Sequence, residues 1–171
     1  MGICFVRTGG IVMGRFTALG SINSNYRLEL EVTQTSQNIA NNTSTISWVA
    51  RMVHVGTAWS FSQITMRCVV NIDGVEVLNN NQARALAPGG SFVFGSGTRT
   101  IQHNADGTRG IWCSAALTMS GSQNFIPGNT TASGTLGLTT IPRQATITRA
   151  DNFNDEGAPY LTFNNPRKIP S

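Results

Sequence analysis

Charge is scarce in this sequence: 12 basic and 8 acidic side chains make up 12% of 171 residues, about half the roughly 25% usual in globular domains. Lysine is nearly absent, Lys168 being the only one, and the arginines are scattered singly from Arg7 to Arg167. The net charge of +4 therefore forms no basic patch, and the clustered phosphate contacts that nucleic-acid binding needs are not expected. No apolar run approaches the ~18 residues that cross a bilayer, and the opening MGICFVRTGGIVMG lacks the apolar core and cleavage pattern of a secretion signal. Neither membrane insertion nor an export leader is expected. No window carries apolar residues at a helical period.

Chemistry-bearing motifs are missing as well. Cys4, Cys68 and Cys113 make an odd count without a C-x-x-C pair, and the histidines are His54 and His103 alone, so no metal site is expected. No nucleophile-elbow or H-E-x-x-H pattern occurs. Glu29 and Glu31 share one strand face, and Asp73, Asp106 and Asp151 fall in turns where capping the local backbone is their ordinary role. GSGT at Gly95 to Thr98 opens no helix after a parallel strand, which excludes a phosphate cradle. No catalytic residue and no cofactor are expected, and His103 reads as a corner histidine bonding loop backbone rather than as half of an acid-base pair with Asp106.

What the sequence has is alternation. In YRLELEVTQ, Tyr26, Leu28, Leu30 and Val32 share one face while Arg27, Glu29, Glu31 and Thr33 share the other. TISWVARMVHV repeats the pattern with Ile46, Trp48, Ala50 and Met52 inward. Met66, Cys68, Val70 and Ile72 form a third inward row, and Ile111, Cys113, Ala115, Leu117 and Met119 a fourth. Asp73-Gly74 between strands is the preferred two-residue hairpin loop, since a type I′ turn needs positive φ twice. Asp106-Gly107 is read as a second turn of this kind, while NNNQARALAPGG reads as irregular. Leu136 and Leu138 close the pattern before Pro142, which cannot donate to a ladder.

About seven to nine short strands with Gly, Asn, Asp and Ser turns imply an all-β, antiparallel β-sandwich, immunoglobulin-like or jelly-roll-like. The expected organisation is an N-terminal extension over 1–25, the sandwich over 26–143, and a linker with the start of a second module over 144–171, where Asp151, Asp155 and Glu156 form an acidic stretch. Gly9-Gly10 must be encoded by a guanine-rich run just before the Met13 codon, as in a bacterial ribosome-binding site. Translation is therefore expected to start at Met13, with 1–12 untranslated.

Candidate contact residues are the aromatics placed to project from a sheet: Trp59, Phe61 and Trp112. Trp112 alternates with inward Ile111 and Cys113, so it faces away from the core as a sugar-stacking platform, a partner contact or a ring packed under a loop. Trp48 reads as a core residue.

The blocks RLELEVTQTSQNIANNTSTISWVARM, VNIDGVEV, SGTRTIQHNADGTRGIWCSAALTMSG and SGTLGLTTIPR, in this order, resemble the minor structural protein family of siphoviruses infecting Gram-positive bacteria. The resemblance implies a virion component of the tail tip or baseplate, made in the host cytoplasm, with other tail and baseplate proteins as partners and a homo-oligomeric assembly. It implies no catalytic residues. ITRADNFNDEGAPYLTFNNP resembles the start of a following module, which stops here at Ser171. Cys68 and Cys113, both on inward positions, leave open a disulfide spanning the sandwich or two free thiols, and cytoplasmic folding favours thiols. The expected function is a non-enzymatic virion structural protein contributing to host-surface attachment. The alternatives are a module binding host cell-wall polysaccharide and a capsid decoration protein.

Overall fold

The alternation of YRLELEVTQ is realised in strand β3 (Tyr26–Asn38), where Tyr26, Leu28, Leu30 and Val32 are completely buried. The computed structural model describes residues 2–8, 11–143, 146–148 and 162–164, with side chains described over 12–143. Every described element is a strand, and all pairs are antiparallel. One sheet holds β1 (Gly2–Thr8), β2 (Ile11–Leu19), β3, β4 (Thr43–His54) and β7 (Ser91–Gln102), in the order β1-β2-β3-β4-β7. The other holds β5 (Phe61–Ile72), β6 (Val75–Leu86), β8 (Gly110–Met119) and β9 (Thr130–Gly137), in the order β6-β5-β8-β9. Strands β10 (Thr146–Thr148) and β11 (Thr162–Asn164) form a separate two-stranded ladder. The acidic stretch at Asp151, Asp155 and Glu156 and the side chain of Cys4 lie outside the described residues.

The two sheets face each other as an open sandwich. Between them lie Phe16, Leu28, Leu30, Ile46, Trp48 and Met52 from the first sheet and Met66, Val70, Ile72, Ile111, Leu117 and Leu136 from the second. Full burial of such side chains stabilises by about 1.5–3 kcal/mol each, a gain available only because each sheet has the other to cover it. Trp48 reaches so far across its own sheet that a Cβ at Gly97 would come within 3.1 Å of the indole, which is why a glycine stands opposite it.

The sandwich begins before Tyr26, which corrects the expectation of an extension over 1–25. Strand β2 pairs with β3 from Met13↔Thr33 to Leu19↔Arg27, and it buries Val12 and Phe16 in the core. A second correction concerns NNNQARAL, which is not irregular but the body of β6. Its inward positions carry Asn80 and Gln82, whose amides both donate to the Phe94 carbonyl at 3.1 and 2.7 Å. That carbonyl is bared at the β4–β7 bulge near Ala50/Arg51, so polar side chains close the side of the sandwich.

The two Asp-Gly pairs differ. Asp73 (φ 50) and Gly74 (φ 75) turn β5 into β6 with Ile72 opposite Val75, as a type I′ hairpin requires. Asp106-Gly107 sits in the crossover from β7 in one sheet to β8 in the other, so it is no hairpin. Only Gly107 has positive φ there (83), and a Cβ on it would lie 2.1 Å from the Ile141 carbonyl oxygen. Asp106 caps the turn by accepting from Thr108 N (2.9 Å) and Thr108 Oγ1 (2.6 Å), bonds that lower its pKa.

Cys68 and Cys113 are free and buried. Both lie in the second sheet, where Cys113 pairs with Ile72 and Cys68 with Leu117. Four residues along β5 separate the two registers, about 13 Å, well beyond the ~7 Å that a disulfide spans.

Candidate functional site

Four loops converge at one end of the sandwich, where β3 and β5 begin and β4 and β6 finish: 20–25, 55–60, 87–90 and 120–129. A groove of about 630 Å³ opens there, lined by Ser60, Phe61, Ser62, Ala85, Leu86, Ala87 and Phe125. None of these side chains titrates. Around it stand exposed apolar residues from three of the loops and a strand end: Leu19, Ile22, Val55, Trp59 and Phe125. These are five of the nine large apolar side chains exposed among the described residues, and such clustering marks an interaction surface more than scattered singles do.

The loops are held from beneath by buried polar groups. Tyr26 Oη donates to the Phe125 carbonyl (2.9 Å), and Asn23 Nδ2 donates to the Asn124 carbonyl (2.7 Å). His54 Nε2 donates to the Trp59 carbonyl (2.9 Å), the carbonyl fixing which imidazole nitrogen carries the proton. The Tyr26 ring meets His54 edge-on at 4.8 Å and Phe61 at 5.3 Å, so one aromatic stack underlies both loops. Burial raises the Tyr26 pKa, keeping its hydroxyl a donor. Backbone strain gathers at the same place: Trp59 (φ 73) and Gln63 (φ 41) adopt the left-handed region without being glycine, each at a cost on the order of 1–3 kcal/mol. Gln63 falls in the irregular entry to β5, where the register shifts between Phe61 and Ile64.

The three aromatics singled out from sequence are not brought together. Trp59 is 56% and Trp112 54% exposed, but they lie beyond opposite ends of β5, with Asp73 N bonded to the Trp112 carbonyl. Twelve residues of strand, about 40 Å, separate them. Phe61, expected to project, is instead 4% exposed: it stacks on Tyr26 and lends the groove only a wall. Its position as the first residue of β5 turns it inward, in register with Leu86. Phe125, Tyr26 and His54 were invisible as site residues, because Phe125 lies in an aperiodic loop, Tyr26 read as an ordinary inward strand position and His54 belongs to no catalytic or metal motif.

A second polar network serves the framework. At the opposite end of the sandwich Thr139 N donates to Gln34 Oε1 (2.8 Å) and Gln34 Nε2 to Ser44 Oγ (2.8 Å). Ser44 Oγ and His103 Nε2 are 2.7 Å apart, and His103 Nδ1 donates to the Gly107 carbonyl (2.8 Å). With Nδ1 protonated toward that carbonyl, Nε2 accepts from the Ser44 hydroxyl, and the chain of bonds runs in one direction. Burial pushes the thiols of Cys68 and Cys113 up to about 12, so neither forms the nucleophilic thiolate near neutral pH.

A search of curated proteins gave no match. The model of the family described as siphovirus protein of unknown function (DUF859) matches residues 17–160, a span that runs from the last residues of β2 through β3 to β9 and beyond. The chain belongs to this siphovirus protein family.

Proposed function

We propose that the chain is a non-enzymatic structural component of the siphovirus tail tip or baseplate, which docks on a neighbouring virion protein through the loop end built around Trp59 and Phe125. The observation that carries this reading is the pinning of two exposed aromatic loops by Tyr26 and His54 beside an uncharged groove. Rigid aromatic side chains on pre-ordered loops are what protein interfaces use as anchors, because little conformational entropy is lost on binding. The absence of any titratable side chain from the groove lining favours docking over acid-base chemistry. The family supplies the viral setting.

The test is a photo-reactive amino acid at position 59, and in a parallel variant at position 112, in phage-infected cells. Cross-linking to a tail or baseplate protein in purified virions is the expected outcome; a chain absent from virions, or one cross-linked only at position 112, would overturn the reading. A second reading, attachment to host wall polysaccharide, is favoured by the exposed Trp59 indole beside that same groove. Tryptophan fluorescence in the presence of purified wall polysaccharide separates the two. Under the docking reading emission is unchanged, whereas a saturable shift lost in Trp59→Ala would favour the glycan.

A further inference from the structure

We propose that a second, independent site lies on the outer face of the β6-β5-β8-β9 sheet: a shallow phosphate-binding depression centred on Arg67. The depression encloses about 260 Å³ and is lined by Thr65, Arg67, Asn81, Thr118, Met119 and Ser120. The strand register builds it, since Arg67 on β5 has Asn81 opposite it on β6 and Thr118 opposite it on β8. Cross-strand neighbours of this kind have Cβ atoms roughly 5 Å apart. Thr65 follows two residues back on the same face, and Ser120 stands just past the end of β8. One guanidinium is thus surrounded by three hydroxyls and an amide, with no carboxylate in the lining.

The guanidinium is oriented but not neutralised. Its Nε donates to Asn79 Oδ1 at 2.9 Å, and Asn79 Nδ2 donates to Glu76 Oε1 at 3.1 Å. Glu76, the acid nearest to it along this chain of bonds, is reached only through Asn79, and no described carboxylate forms an ion pair with Arg67. Of the other described arginines, Arg15, Arg27, Arg51 and Arg109 are spent on carboxylates and Arg99 and Arg143 on backbone carbonyls, while Arg84 donates through Nε to Gln82 Oε1 (2.9 Å) and lies over the Phe92 ring, outside the depression. An arginine fixed through Nε presents its two Nη groups as a fork, the geometry that grips two oxygens of an oxyanion. Hydroxyl and amide groups on both flanking strands add donors out of the plane of that fork. A tetrahedral phosphate uses them; a planar carboxylate does not.

The experiment is a two-dimensional NMR titration of the full chain with inorganic phosphate near pH 6.5, with sodium chloride holding ionic strength constant. The expected result is saturable shifts of the Thr65, Arg67 and Thr118 amides and of the Arg67 Nε–H, with a dissociation constant in the millimolar range. Arg67→Gln, on an exposed position that leaves folding intact by spectral dispersion, weakens binding roughly tenfold or more, Thr118→Val weakens it by about threefold, and Arg84→Gln leaves it unchanged. Shifts that persist in Arg67→Gln, that rise without saturating, or that acetate reproduces at equal concentration would overturn the proposal.

Discussion

The two outward faces of this sandwich solve the same problem in opposite ways. On the β2-β3-β4 face five charges interlock: Glu31 holds Arg15 (3.1 Å) and Arg51 (2.6 Å), while Glu29 holds Arg51 (2.9 Å) and Arg27 (2.5 Å). The register makes the ladder, placing Arg15 opposite Glu31, and Glu29 between Thr17 and Arg51. On the β5-β8-β9 face the matching rows are Val69, Ala116 and Thr131, then Asn71, Ser114 and Ser133. Along these two rows small uncharged side chains leave the sheet flat, between Arg67 on one side and Trp112 on the other. A face whose charges are already satisfied internally has little to offer a partner, whereas a flat face of small polar groups can be covered without stripping ions of water.

Breaking the ladder at Glu29 should have the largest effect. Its side chain is 4% exposed although it points to the outer face, because Arg27 and Arg51 lie over it. Burial raises its pKa, but the hydrogen bonds and charges of Arg51 and Arg27 outweigh that and leave it lowered. Glu29→Ala strands the Arg27 guanidinium and leaves Arg51 with Glu31 alone. Since these keep 29–36% of their side-chain surface, the expected loss is about 2–3 kcal/mol, below the 3–5 kcal/mol of a fully buried pair. Urea denaturation measures it. A lowered folded pKa also means that Glu29 contributes in full above the ordinary carboxylate value of 4.5 and that the contribution disappears as pH falls through the folded value. The stability gap between wild type and Glu29→Gln should therefore narrow below about pH 4, and a gap constant to pH 2 would show that the ladder is not what holds Glu29.

Glu31 sharpens the same comparison at smaller scale. It is 27% exposed and shares its partners with water and, for Arg51, with Glu29. Glu31→Ala should cost about 1 kcal/mol, diminished by roughly half in 1 M salt. A double-mutant cycle with Arg15→Ala should assign less than ~0.5 kcal/mol to that outer pair.

Strand-by-strand, the sandwich was legible wherever inward positions carry large apolar side chains, as in β3, β4, β5 and β8. It was illegible where they do not. Strand β2 places Gly14 and Ala18 on the inward row with Val12 and Phe16; a Cβ at Gly14 would sit 3.1 Å from both Leu136 and the Phe16 ring, so packing demands a residue that erases the hydrophobic signal. Strand β6 points Asn80 and Gln82 inward because the bulged Phe94 carbonyl needs donors, a requirement set by a strand in the other sheet. Asp106-Gly107 shows that a dipeptide fixes a turn and not which strands it joins. The candidate site suffered most. The outward side of Trp112 followed from alternation, but the placement of Trp59 in a loop instead of on a sheet, the separation of the two by the length of β5, the burial of Phe61 and the pinning of Phe125 by Tyr26 depend on which loops share an end.

The smallest expected effect on folding lies on the flat face, and it is the most informative about use. Thr135 on β9 is exposed and pairs with Trp112 on β8. Thr135→Arg adds a charge where none is paired, with open water beside it, so thermal unfolding should shift by less than the equivalent of ~0.5 kcal/mol. Removing one charge from the ladder thus costs several times more than adding one here. A loss above about 1 kcal/mol would mean that the face is not open in the isolated chain. If folding is untouched and Thr135→Arg is nonetheless excluded from virions, the flat face is covered during assembly, because a neighbour that closes over it must then bury an unpaired guanidinium. Normal incorporation would instead leave the Trp59 end as the contact and the flat face to solvent.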